Sequence, residues 1–81
     1  MRRIRDLKRI NAGLAAHDLG PLKAAILEFG RQENFTDFAK SAGVRRESLY
    51  RTLQDDSGLR SDYLFKLLDA VGLKLKVVPK D

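Results

Sequence analysis

Between Asn34 and Gln54 two short apolar stripes of helical spacing are separated by one glycine. No other feature of the chain constrains its fold as much. Phe35, Phe38, Ala39 and Ala42 recur at i, i+3, i+4 and i+7, which places them on one face of a helix. Asn34 stands just before them as an N-cap, able to accept a bond from an otherwise unpaired backbone N–H. Gly43 follows at once and can take the left-handed conformation that ends a helix. Val44 turns inward, and the next helix is predicted over 46–54, with Leu49 and Leu53 on its inner side. Two short helices that cross steeply need small residues where they touch. Ala39 and Ala42 permit the approach and Gly43 permits the turn. Residues 34–54 therefore have the spacing of a helix-turn-helix.

Glycine and proline punctuate the rest. Ile4, Leu7, Asn11, Leu14 and Ala15 follow steps of three and four, which predicts a helix from about Arg5 to Ala16 with those residues on its face. Gly13 weakens that helix by ~1 kcal/mol relative to Ala. The run Asp18-Leu-Gly-Pro21 breaks it, and Pro21 suits the first turn of the next helix. Leu22, Ala25, Ile26 and Phe29 form the stripe of that helix, with Lys23 and Glu28 on its other side and Gly30 near its end. Asp55-Asp-Ser-Gly58 is a turn cluster. Arg60 or Ser61 opens a fifth helix with the stripe Leu64, Leu67, Leu68 and Val71, closed by Gly72. Leu73, Leu75 and Val77 then alternate with Lys74, Lys76 and Val78, a period of two that predicts a strand over 73–78, stopped by Pro79. No other stretch resembles a partner for that strand. It pairs with another chain, or else it is a short tail lying on the fifth helix.

The expected architecture is all-α: one five-helix domain over 1–81, with a recognition unit at 34–54 and a C-terminal β-strand. Composition removes several alternatives. There is no Cys, so disulfides and thiolate metal sites are excluded. His17 is the only His, which leaves no His-based triad or multi-His metal site in one chain. Asp55 and Asp56 are read as solvated turn carboxylates, and no phosphate-cradling glycine loop occurs. The expectation is a non-enzymatic protein with no metal and no cofactor. Apolar runs fall far short of the ~20 residues that span a bilayer, and no apolar run follows the N-terminal arginines. A cytoplasmic protein without membrane contact is expected.

Sixteen Lys and Arg stand against 11 Asp and Glu, a net charge of +5, which favours polyanionic partners. The excess is concentrated at Arg2, Arg3, Arg5, Lys8 and Arg9, and again at Arg45, Arg46 and Arg51. At about 100° per residue, Glu47, Tyr50, Arg51 and Gln54 project away from the Leu49/Leu53 side of the 46–54 helix. Arg45 and Arg46 mark its N-terminal end, the end that enters the major groove in such units. Arg reaches guanine O6 and N7 through two parallel bonds, and Gln does the same for adenine. Arg46, Arg51 and Gln54 are thus the candidate base readers, with Arg45 and Tyr50 on base or backbone. Thr36 and Lys40 of the preceding helix are candidate phosphate contacts. Glu47 accepts from a cytosine amine, or else favours the helix N-terminus or pairs with Arg51. Tyr50 has the alternative of packing on the core edge.

Three strings, Phe38-Ala-Lys-Ser-Ala-Gly-Val44, Arg46-Glu-Ser-Leu-Tyr-Arg51 and Phe65-Lys-Leu-Leu-Asp-Ala-Val-Gly-Leu-Lys-Leu75, together resemble the addiction-module antidote proteins. These are helix-turn-helix antitoxins, lambda-repressor-like in fold, of type II toxin–antitoxin pairs. Residues 11–33 match that family in pattern only, and Arg45 stands where its members often carry Ser. The resemblance implies neutralisation of a RelE/ParE-superfamily toxin and autorepression through double-stranded operator DNA. A homodimer is expected on the operator, with Leu73, Leu75 and Val77 as the candidate dimerisation residues. Two alternatives are a phage- or plasmid-type repressor without a toxin, and an adaptor that uses the same shape to bind protein.

Overall fold

The computed structural model describes residues 6–54 and 58–80. Five helices follow one another: α1 (Leu7–Ala15), α2 (Gly20–Gln32), α3 (Phe35–Ala42), α4 (Arg46–Gln54) and α5 (Ser61–Val71). The 13-residue α2 is the central element, packed against all four others. Leu22 and Ile26 of α2, Leu49 of α4 and Leu67 of α5 are the largest fully buried side chains. They meet Phe38, Ala39 and Ala42 of α3 in one core, and Val44 packs against it from the turn. Residues 55–57, most of the expected turn cluster, lie outside the described residues, as do Ile4 and the expected start of α1 at Arg5.

Local signals account for where the helices end. Asn34 Oδ1 accepts from the backbone N–H groups of Thr36 (3.0 Å) and Asp37 (3.2 Å), so α3 begins at the predicted cap. Asp18 Oδ1 accepts from Gly20 N–H at 2.9 Å, satisfying a free donor where α2 starts. Three C-termini share one closure, in which the N–H two residues beyond the last turn reaches back five residues. Asp18 donates to Gly13 O (2.8 Å), Val44 to Ala39 O (3.0 Å) and Leu73 to Leu68 O (2.8 Å). The residue just before each donor is left-handed: Gly43 at φ 74°, Gly72 at φ 78°, and His17 at φ 60°. Glycine takes that conformation without cost; a side chain there is strained.

The structure corrects three expectations. First, α1 buries Ile10 and Gly13, while Leu7, Asn11 and Ala15 are exposed and Leu14 is half-buried. A Cβ on Gly13 would sit 2.8 Å from Pro21 Cγ and 2.9 Å from Asp18 O. The bare backbone at Gly13 lets α1 meet the start of α2, and that approach turns a different face inward from the one the apolar spacing marks. Second, Lys23 is buried rather than solvated. It lines a groove with Leu27 of α2 and Leu53 of α4. A long aliphatic stem can cover apolar surface in this way. Third, residues 73–80 form no strand. Leu73 packs against the core, but Leu75, Val77 and Val78 are exposed. A strand exists only in a ladder, and the described residues offer no edge to pair with.

Candidate nucleic-acid interface

Burial of Leu49 and Leu53 fixes the rotation of α4 about its axis. Ser48 and Thr52 are half-buried beside them, so the opposite side must face water. That side carries Glu47, Tyr50, Arg51 and Gln54, at i, i+3, i+4 and i+7, with Arg46 leading the helix. The carbonyl of Arg45 accepts Leu49 N–H at 2.9 Å, which puts Arg45 at the N-cap of α4. All six side chains are exposed. The sequence-predicted face is therefore contiguous along one helix.

Tyr50 differs from its neighbours. Its ring meets Phe35, the first residue of α3, edge-on with centroids 5.6 Å apart. Phe35 in turn contacts Phe38 (6.2 Å), and Phe38 contacts Phe29 of α2 (5.6 Å). The chain of rings carries the rigidity of α2 to the outer face of α4. Tyr50 accordingly packs on the core edge while remaining 41% exposed. Its two readings are compatible, since an aromatic body can be packed while its hydroxyl stays wet. Phe35 was expected only as a core residue. Its support of Tyr50 lies 15 positions away in sequence and leaves no local signal.

Thr36 and Lys40 stand four apart on the exposed side of α3. No hydrogen bond or ion pair among the described residues engages the side chains of Thr36, Lys40, Arg45, Arg46, Glu47, Arg51 or Gln54. Glu47 and Arg51, one turn apart, form no ion pair with each other. No described residue occupies these guanidinium groups. Leu73, Leu75 and Val77 lie in the segment that follows α5, where Leu73 packs against the core and Leu75 and Val77 are exposed. No group of His, Cys, Asp or Glu that could hold a metal ion occurs among the described residues. No helix there is long and apolar enough to cross a membrane.

The family profile of probable addiction module antidote proteins matches residues 7–79, nearly the whole chain and every helix described above. The chain belongs to this family. The match covers the α3–α4 pair of this antidote and its C-terminal segment alike. No curated protein and no solved structure matches it significantly.

Proposed function

We propose that the protein is the antitoxin of a type II toxin–antitoxin module, with two linked activities. It binds and neutralises a RelE/ParE-like toxin, and it represses its own operon by binding operator DNA. In this reading α3, the Gly43 turn and α4 form a helix-turn-helix, and α4 lies in the major groove. Family membership supports the antidote role. The single observation that carries the DNA-binding role is the exposed arginine face of α4, unpaired among the described residues and held in orientation by buried Leu49 and Leu53.

Roles follow from chemistry. Arg46, Arg51 and Gln54 read base edges by paired hydrogen bonds. Arg45, Lys40, Thr36 and the Tyr50 hydroxyl hold phosphates, which sets register without specifying sequence. Glu47 is the negative element of the face. It accepts from a cytosine amine and repels phosphate elsewhere, so it restricts which sites are tolerated. Two copies bound to half-sites on the order of 34 Å apart would read a pseudo-palindrome. The module works in the cytoplasm, where the operon and the toxin are both accessible.

Two measurements test the reading. Co-expression with the product of the adjacent reading frame should relieve growth arrest caused by that product alone. Titration of fluorescent promoter DNA should give binding that weakens with salt at a log–log slope of about −0.9 per phosphate contact. Promoter and scrambled DNA bound equally at every salt concentration would remove the autorepressor role. Persistence of growth arrest would remove the antitoxin role.

A further inference from the structure

The outward face of α4 has a brace on each flank. On one flank the Tyr50 ring rests on Phe35 of α3. On the other, Tyr63 of α5 reaches across, and its hydroxyl donates to Ser48 Oγ at 3.5 Å. At about 100° per residue, Ser48 and Tyr50 lie roughly 160° apart around the helix axis. The outer arc between them holds Glu47, Arg51 and Gln54, and the inner arc holds the buried Leu49 and Leu53. Among the described residues the backbone of α4 lies against α2 and α3 but not against α5. The Tyr63–Ser48 pair is the hydrogen bond that joins α5 to α4 there.

The two ends of this bond differ in how they are held. Tyr63 is half-buried with its ring packed against the core, so its hydroxyl has a fixed origin. Ser48 is half-buried and moves only with α4. Hydroxyls in full contact stand ~2.7–2.8 Å apart. The observed pair is longer, which leaves slack that α4 can take up by settling toward α5. A duplex on the outer arc presses α4 in that direction, onto the body of the domain. A bond that is better made in the complex than in the free protein adds to affinity rather than to folding stability. The rotation of α4 matters for base readout. At a side-chain tip ~6 Å from the axis, a turn of about 10° is a shift of roughly 1 Å. That shift is enough to spoil a paired hydrogen bond to a base edge.

We infer that Tyr63 is a positioning residue for base readout. Its hydroxyl closes onto Ser48 when α4 enters the groove, and the closed bond fixes the rotation at which Arg51 and Gln54 meet their bases. The inference rests on the DNA-binding reading and adds to it a residue of α5, outside the reading face. Tyr63 touches no nucleotide in this arrangement. It acts through Ser48, and its effect is on discrimination between sequences rather than on the attraction to phosphate.

The test titrates fluorescent promoter DNA and scrambled DNA with the full-length parent, Tyr63→Phe, Ser48→Ala and the double variant, and unfolds each free protein in urea. Tyr63→Phe deletes one oxygen and keeps the ring on the core, so the helical fold is retained and circular dichroism checks it. Its promoter affinity should fall about twofold to tenfold, the worth of one hydrogen bond. Its affinity for scrambled DNA and its salt slope should match the parent, because no phosphate contact is lost. The urea midpoint should stay close to the parental value, since the slack bond contributes little to the free protein. Ser48→Ala should lose the same preference, and the double variant no more than either single, because all three delete one bond. Losses that multiply in the double variant mean that the two hydroxyls act separately, and overturn the inference. A promoter-to-scrambled ratio unchanged in Tyr63→Phe, whatever its urea midpoint, makes Tyr63 a residue of the fold alone. That result overturns the inference and leaves the DNA-binding reading standing. A parent protein that binds both DNAs alike overturns both.

Discussion

Tyr50 stands edge-on to Phe35, with ring planes inclined at 78° and centroids 5.6 Å apart. The contact ties the exposed face of α4 to the first residue of α3, and it separates two functions within one side chain. The ring supports the fold and the hydroxyl is left for a ligand. Tyr50→Phe should therefore leave stability within about 0.5 kcal/mol and weaken operator binding. Tyr50→Ala should also lower stability by about 1 kcal/mol, the usual worth of an aromatic pair. Urea unfolding of both variants and of Phe35→Leu, read as a double-mutant cycle, measures the ring contact. A Tyr50→Phe variant that binds promoter DNA at parental strength would release the hydroxyl from its assigned role.

Gly30 is what allows Phe35 to take that position. A Cβ there would lie 2.7 Å from both Phe35 Cδ1 and Cε1 and 3.0 Å from Phe38 Cδ2. Placed in the last turns of a helix, Gly30→Ala ought by propensity to stabilise by ~1 kcal/mol. Displacement of two packed rings costs ~1–3 kcal/mol. The steric effect wins, and the net expectation is a loss of about 1 kcal/mol. A higher melting temperature for Gly30→Ala would mean that the rings give way freely.

His17 offers the reverse case. It takes the left-handed position at the end of α1 that glycine takes after α3 and α5. A side chain there costs ~1–2 kcal/mol, partly recovered in the unfolded chain, which glycine makes more flexible. His17→Gly should raise stability by about 0.5–1 kcal/mol. Gly72→Ala should lower it by a similar amount, because space is open there and only the backbone angle objects. Differential scanning calorimetry of the two variants should show shifts of opposite sign. Shifts of the same sign would refute the shared closure.

These cases also show which parts of the fold were legible in the sequence. Asn34, Gly43 and Gly72 act through their own backbone and nearest neighbours, so spacing alone located both ends of α3 and the end of α5. The outward face of α4 was legible for a related reason. With Leu49 and Leu53 inside, a rigid helix leaves little choice for Arg51 and Gln54. The inner face of α1 was not legible, since it depends on Gly13 meeting Pro21 across a turn. Lys23 was missed because apolar periodicity assigns a lysine outward before the length of its stem is considered. The C-terminal segment shows a different limit. Its alternation is real, but a strand is a property of two segments, and the described residues contain one.

Leu49 and Arg51 are two residues apart on α4 and should respond in opposite ways to truncation. Leu49 has no exposed surface, whereas Arg51 is exposed and engages no partner among the described residues. Leu49→Ala leaves a cavity at the α4–α2 junction and should cost ~2–5 kcal/mol. For a domain of this size that is a large share of the total, so operator binding would vanish because the fold does. Arg51→Ala should leave urea unfolding within about 0.5 kcal/mol of the parent. It should weaken promoter binding by ~1–3 kcal/mol, with little change on scrambled DNA. That difference identifies a base reader. A phosphate contact would instead lose affinity equally on both sequences and reduce the salt slope by about one unit. If Arg51→Ala binds both DNAs at parental strength at every salt concentration, α4 does not lie in the groove along this face.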